Sequence, residues 1–442
     1  MATTPRLVLR EWETAHASDH PVLHNLWTTH PDLERDARRL REGNALRVED
    51  GRQGVSIKAQ RHVGVVRLGP LHVTVQPRLA HADLWYILEY GLGIDRLDRP
   101  PPVDLLLPEA SFADLIALAL LEKTKRLSRR GPRRGYARQE EWLSQLRGRI
   151  DITCTEKAMP LTRASLPCIH HILSTDIPEN RMVRAGLKLA AQAAYSPGLK
   201  AELAKLERSW SELCGSLMLD TATLRQMSRE LTRLTADYAP ILRLITLLHE
   251  GRGMSDTLEI LTPGQERLPG FLWDMASLFE RFVERFLREH LKSASVSRQK
   301  PIEGLYEVVR APRGFSARNR EPRPDILLER EGQVVAVLDT KYKDFKDDYL
   351  DRNSLYQMSV YAVAHAPSDA ATMPVPVIVL YPRANATSAD DVVYAFKHGR
   401  QGRQSPIIVR GIDWSRASQA LRNPARHNEL ATIAEEWTRT EE

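Results

Sequence analysis

The sequence has only three cysteines, Cys154, Cys168 and Cys214, too few and too widely spaced for a disulfide framework and short of the four thiolates of a usual iron–sulfur cluster. Buried, inert thiols are the expectation. No apolar run approaches the roughly 18 residues that span a bilayer, so no membrane-embedded helix is expected. The opening MATTPRLVLREWE shows no basic segment leading into an apolar one, and the expectation is a cytoplasmic chain without a secretory leader. A Gly-x-x-x-x-Gly-Lys-Ser/Thr loop is missing, which argues against P-loop nucleotide hydrolysis by this chain. Nothing suggests an aromatic pocket for a flipped base. The Cys168-x-His170-His171 spacing lacks a second ligand pair and is a weak zinc signal. Internal repeats and long low-complexity tracts are also absent.

What remains is ordinary in bulk and uneven in distribution. At about 150 residues per domain, 442 residues suggest two or three domains. The 42% hydrophobic and 27% charged fractions suit a globular protein. A net charge of +6 is compatible with a polyanionic partner. The charge concentrates in KTKRLSRRGPRRGYAR, Lys123 to Arg138, with eight Lys or Arg and no acid. Two glycines and a proline interrupt it, and the expectation is an exposed hairpin or finger. Its arginines have three readings: contact with a protein partner, contact with DNA, or a solvated charge run.

The pattern divides the chain into three. Residues 1–82 alternate apolar and polar positions around glycine turns, as in VGVVRLGPLHVTVQPR, and read as a β-rich accessory domain. Residues 83–260 show helical spacing in SFADLIALALLEKTKRL and ENRMVRAGLKLAAQAA, an α-rich middle domain carrying the basic finger 123–138, with Ser111 as a helix N-cap. LTPGQERLPG marks a boundary, and residues 261–442 then give a helix over 272–291, strands LYEVVR, PDILLE and QVVAVLDTKY, a helix over 354–366 and the strand VPVIVLYP. The fold expected is therefore α+β and multidomain, ending in an αβββαβ unit.

That last unit carries the chemistry. In VVAVLDTK the period of two puts Val335, Val337, Asp339 and Lys341 on one face, and a hairpin through REGQ would bring Asp325 beside Asp339. Two adjacent carboxylates repel unless one is protonated or a cation lies between them. Hard oxygen donors select Mg²⁺ or Mn²⁺, and one or two carboxylates with waters and phosphate oxygens are a usual Mg²⁺ set. Such an ion acidifies water and stabilises charge on phosphorus, while Lys341 could orient the water or neutralise a phosphate oxygen. Taken alone, a D-x-K at a strand end is most often a surface ion pair. Its company is more specific. Glu280 falls at the margin of the apolar helix face formed by Leu272, Ala276, Phe279, Val283 and Leu287, where its bland role is a rim glutamate paired with Arg281 or Arg285. Gln357 and Tyr361 stand one helical turn apart, facing the same way, though Tyr361 could equally pack in the core.

These segments resemble the PD-(D/E)xK nuclease superfamily and, more narrowly, the McrC family, nuclease subunits of McrBC-type modification-dependent restriction systems. MASLFERFVERFL resembles the helix ahead of the nuclease sheet, RPDILL and VLDTKYK the metal-binding strands, and SLYQMSVYA the Q-x-x-x-Y helix. R-G-R-I-D and E-N-R resemble the region upstream, so the likeness runs from about Leu84 to Pro382. It implies a restriction-endonuclease-like C-terminal domain in which Asp325 and Asp339, with help from Glu280, bind Mg²⁺ (or Mn²⁺). Lys341 would be the catalytic lysine, with Gln357 and Tyr361 auxiliary. It further implies double-stranded DNA as substrate and a ring-forming, McrB-like AAA+ GTPase as partner, which Arg129, Arg130, Arg133 and Arg134 would touch. Two other functions stay open at this point: a non-catalytic activator of the GTPase, and a stand-alone repair nuclease.

Overall fold

The computed structural model describes residues 5–28, 31–79, 81–91, 112–152, 154, 165–253, 271–302, 305, 321–343, 350–365, 374–387, 390–398 and 403–440. The first part contains β1 (Arg6–Arg10), β2 (Thr14–Ala15), α1 (Pro31–Glu42), β3 (Leu46–Asp50), β4 (Val55–Ala59), β5 (His62–Leu68) and β6 (Leu71–Gln76). The middle holds α2 (His81–Gly91), α3 (Phe112–Arg130), β7 (Gly135–Leu143), β8 (Arg149–Ile150), β9 (Leu166–Ser174), α4 (Pro178–Ala193), α5 (Pro197–Ser211), α6 (Thr221–Glu230) and α7 (Ala239–Gly253). The last part runs β10 (Phe271–Asp274), α8 (Met275–His290), β11 (Ser295–Arg298), β12 (Ile326–Arg330), β13 (Gln333–Thr340), α9 (Arg352–Ala364), β14 (Val377–Pro382), β15 (Val392–His398), β16 (Arg403–Ile412), α10 (Trp414–Arg422) and α11 (Glu429–Thr438). This is a mixed α+β architecture with several sheets, and among the described residues no helix is long and apolar enough to cross a membrane.

The alternating pattern of the first part does give strands, with Leu71, Val73 and Val75 buried and their neighbours half-buried. It also hides a helix. In α1, PDLERDARRLRE buries Leu33, Ala37 and Leu40 at helical spacing, a pattern that the β-rich reading of residues 1–82 passed over. Two sheets lie in this part, β2-β4-β3 and one with the order β1-β6-β5-β10. The edge strand β10 of the latter sheet comes from beyond the 261–270 boundary and pairs antiparallel with β5, Trp273 opposite Val63. The first part and the last are thus joined by main-chain hydrogen bonds. The boundary segment itself and Ser111 lie outside the described residues.

The site-bearing sheet has the order β11-β12-β13-β14-β16-β15. β12 and β13 form the expected hairpin, closed from Arg330 to Gln333 by two residues, Glu331 at φ 51° and Gly332 at φ 79°. Positive φ at both centres is the type I′ turn, whose twist matches that of paired strands. β13 then pairs parallel with β14, and β14 with β16. One face of this sheet, through Leu328, Leu338, Ile378 and Leu380, joins the main buried cluster with Phe279, Phe282 and Phe286 of α8 and with Trp414 and Trp437. The other, through Val337, Val377 and Val379, packs on Met358 and Tyr361 of α9. Of the expected strand LYEVVR only Leu305 is described; the strand preceding β12 in the sheet is Ser295–Arg298, and β15, β16, α10 and α11 extend the unit past the αβββαβ pattern.

Candidate active site at the end of the central hairpin

Register places the two acids side by side. Ile326 lies opposite Leu338, so Asp325, one residue ahead of β12, faces the Asp339 end of β13. Oδ2 of Asp325 accepts hydrogen bonds from the Thr340 amide at 2.7 Å and the Thr340 hydroxyl at 2.8 Å. Thr340, absent from the sequence reading, therefore ties the two strand ends together. Asp339 is almost wholly buried. Burial pushes its carboxyl up to about 7, repulsion from Asp325 and more weakly from Glu280 adds to this, and Lys341 opposes it.

Lys341 Nζ lies 2.7 Å from Asp339 Oδ2 and donates a hydrogen bond to Gln357 Oε1 at 3.2 Å. That approach makes an ion pair, and Asp339 Oδ2 has no other polar partner among the described residues. Gln357 also donates to Tyr361 Oη at 2.8 Å and reaches Asp339 Oδ1 at 3.5 Å. Tyr361, fully buried as the core alternative requires, donates to the Arg323 carbonyl at 3.1 Å and so braces the segment leading into Asp325. Its own hydroxyl is pushed up by burial and by the charge of Asp339.

Glu280 is placed differently. Its Oε1 accepts from Gln299 Nε2 at 2.9 Å and Arg298 Nη2 at 3.3 Å, rather than from Arg281 or Arg285. Arg285 pairs instead with Glu289. Among the described residues no three His, Cys, Asp or Glu side chains group to hold an ion. A divalent cation here would rest on Asp325 and Asp339, with waters and phosphate completing its shell. Two neighbouring carboxyls, one of them buried and raised by the charge of the other, are what such an ion would satisfy, so these residues fit it.

The arginine segment departs from the finger expected. α3 runs on through Arg129 and Arg130, because its buried face, including Leu120, Leu121 and Leu127, is held in the main cluster up to the last turn. Arg130 lies 3.7 Å from Asp237, and Arg133 lies 3.5 Å from Glu179 while its amide donates to the Tyr238 hydroxyl at 3.0 Å. Arg134 is exposed. What stands outside the three buried clusters is the sheet β7-β9-β8 that follows, with Tyr136 and Leu173 largely exposed.

Both upstream motifs serve this segment. Asn180 of E-N-R is fully buried; its Nδ2 donates to the carbonyls of Arg133 (2.9 Å) and Thr175 (2.6 Å), and its Oδ1 accepts from Tyr238 (2.6 Å). Gly148 of R-G-R-I-D has φ 73°, and a Cβ there would meet the Ile169 carbonyl oxygen at 2.3 Å, so only glycine fits. Replacing Asn180 with Ala removes three bonds and strands two carbonyls and a hydroxyl. The expected cost is about 3 kcal/mol. Urea unfolding checks it, and an unchanged midpoint would mean the network is dispensable.

Fold and site together define an α+β protein with a carboxylate pair and a lysine converging at the end of a mixed sheet. The chain belongs to the McrBC family, since the model of the "McrBC 5-methylcytosine restriction system component" matches residues 57–382. Among solved structures, a chain of the refined half-complex from the tetradecameric assembly of Thermococcus gammatolerans McrB AAA+ hexamers with bound McrC aligns with a TM-score of 0.56 at 16% identity, covering 97% of this chain and 99% of that one. At that identity the likeness speaks for the fold alone. A chain of the cryo-EM structure of the Thermococcus gammatolerans McrBC complex aligns at 17% identity over 64% of this chain and 88% of that one, with a TM-score of 0.41. Comparison with curated proteins gives no match.

Proposed function

We propose that this chain is the Mg²⁺-dependent DNA endonuclease subunit of a McrBC-like restriction complex in the cytoplasm. It would cut methylated foreign DNA after assembling with, and stimulating, a McrB-like AAA+ GTPase ring. One observation carries the nuclease part: Asp325, Asp339 and Lys341 meet at the ends of β12 and β13, with the buried carboxyl of Asp339 raised by burial and by Asp325 and paired with the Lys341 ammonium. The family description supports modified DNA as the target, and the half-complex, of McrB AAA+ hexamers with bound McrC, supports the partner.

When bound, Mg²⁺, or Mn²⁺ in its place, supplies Lewis-acid polarisation of the phosphate and an acidified water. Asp325 and Asp339 provide the oxygen donors, with Thr340 fixing the angle of Asp325. Lys341 neutralises charge gathering on a non-bridging phosphate oxygen or holds the attacking water, and Gln357 aims the ammonium. Glu280 contributes charge at the margin, its carboxylate held by Arg298 and Gln299.

The test is cleavage of 5-methylcytosine-containing plasmid by the purified chain with its AAA+ partner, GTP and Mg²⁺. Linear or nicked product is expected only when all are present, and EDTA is expected to abolish it. Full-rate cutting without the GTPase would favour a stand-alone nuclease instead. Changing Arg129, Arg130, Arg133 and Arg134 together to Ala is expected to lower stimulated GTP hydrolysis by about tenfold or more. Undiminished stimulation would remove these arginines from the partner interface.

A further inference from the structure

Glu11 is a buried acid far in sequence from the carboxylate pair, and it is bonded in space to Tyr342, three residues past Asp339. It lies just past β1, in a tight turn closed by the Glu13 amide donating to the Arg10 carbonyl at 3.1 Å. At the centre of that turn Trp12 has φ 67°, a conformation that a bulky side chain adopts only when its surroundings compel it. Trp12 packs against the main buried cluster, and Glu11 reaches toward the same region. The Glu11 carboxylate accepts from the Arg78 amide at 2.9 Å and from the Tyr342 hydroxyl, which lies 3.0 and 3.1 Å from its two oxygens.

Tyr342 directly follows Lys341. It is on the opposite side of the strand, among Phe279 and Trp414, whose ring centroids are each 5.9 Å from its own. The Lys341 amide is held by the Leu380 carbonyl of β14 at 2.9 Å. Past that bond the segment is held by the Lys343 amide, which donates to the Lys341 carbonyl at 3.1 Å, by the Tyr342 ring, and by the Tyr342 hydroxyl, whose acceptor Glu11 follows a strand of the N-terminal sheet. Burial pushes the Glu11 carboxyl up to about 7, against the lowering effect of the Arg78 amide and Tyr342. An apolar residue at this place would avoid that cost. What the acid adds is a directional bond that admits one position of the Tyr342 side chain.

We propose that Glu11 is a positioning residue of the cleavage site, fixing through the Tyr342 hydroxyl the backbone that carries Lys341. This rests on the nuclease reading above. It makes the N-terminal sheet a working part of the cleavage centre, beyond an accessory role.

The experiment compares Tyr342→Phe, Glu11→Ala, Glu11→Gln and the Glu11→Ala/Tyr342→Phe pair in the assembled complex, with the 5-methylcytosine plasmid, Mg²⁺ and GTP. Tyr342→Phe keeps the ring and its packing. It is expected to lower kcat about tenfold with KM for DNA unchanged, as a misplaced catalytic group does. The double variant is expected to be no worse than Tyr342→Phe, and Glu11→Gln, which still offers an acceptor, to recover most of the rate. Hydrogen exchange at the amides of residues 341–343 in the free chain is expected to quicken in Tyr342→Phe and Glu11→Ala. A wild-type kcat in Tyr342→Phe, losses that multiply in the pair, or equal loss in Glu11→Gln and Glu11→Ala would each overturn the inference. An Asp339→Asn reference separates the two claims. Cleavage surviving in that variant removes the nuclease reading, whereas a silent Asp339→Asn beside a fully active Tyr342→Phe removes only the positioning role.

Discussion

Replacing Asp339 with Asn is expected to reduce DNA cleavage by about 1,000-fold or more, without destabilising the metal-free chain. The activity half follows from geometry, since Asp339 lies beside Asp325 and is paired with Lys341 at 2.7 Å. The stability half follows from electrostatics. Buried and facing Asp325, the carboxyl is raised from its ordinary value near 3.8 to about 7. A raised carboxyl holds its proton in the folded chain at pH values where the unfolded chain has lost it. Stability in EDTA therefore falls as pH rises from about 4 through 7. Asparagine has no charge to bury, so its advantage over the wild type is expected to be larger at pH 8 than at pH 5. Lys341 keeps its bond to Gln357 in the variant. Urea midpoints at both pH values, beside a cleavage assay, check both halves; a variant that unfolds more easily at pH 8 would contradict the electrostatic account.

The second large effect lies away from the chemistry. Arg410 sits on β16, nearly buried, with Nε and Nη2 donating to Asp391 Oδ2 at 2.8 and 2.6 Å. Its Nη1 lies 3.0, 3.2 and 2.7 Å from the carbonyls of Glu436, Trp437 and Arg439 at the end of α11. One guanidinium thus neutralises a buried acid and caps the carbonyls that a helix leaves without partners. Arg410→Ala strands all of them at once, and the expected cost is about 3–5 kcal/mol, a large share of the stability of an ordinary domain. Arg410→Lys is expected to recover only part, because a point charge cannot span both the acid and the helix end. Urea unfolding of the three chains measures this, and near-equal midpoints would show that water replaces the arginine.

The hairpin carrying Asp325 and Asp339 was legible because its signals are local: an alternating apolar run, a glycine turn, and acids at fixed offsets. The helix bearing Gln357 and Tyr361 was legible for the same reason. Glu11 was not, since nothing in LREWE announces that its glutamate meets a tyrosine 331 residues away. β10 was missed because its residues from Leu272 on read as the start of the helix over 272–291, with Leu272 on that helix's apolar face; the helix begins at Met275, and the pairing of β10 with β5 is decided by tertiary packing. The basic stretch misled for a related reason. Its glycines and proline do end the helix, but α3 persists to Arg130 because its apolar face stays anchored, and Asn180, fifty residues on in sequence, holds the turn that follows.

The Glu331–Gly332 turn and the register shift at Leu328/Glu329 together make the site a matter of counting. One residue added to it would rotate β13 by a face, carrying Asp339 toward Phe279 and Trp414 and an apolar neighbour toward Gln357. A carboxylate among those rings would be as damaging to the core as its loss would be to the chemistry.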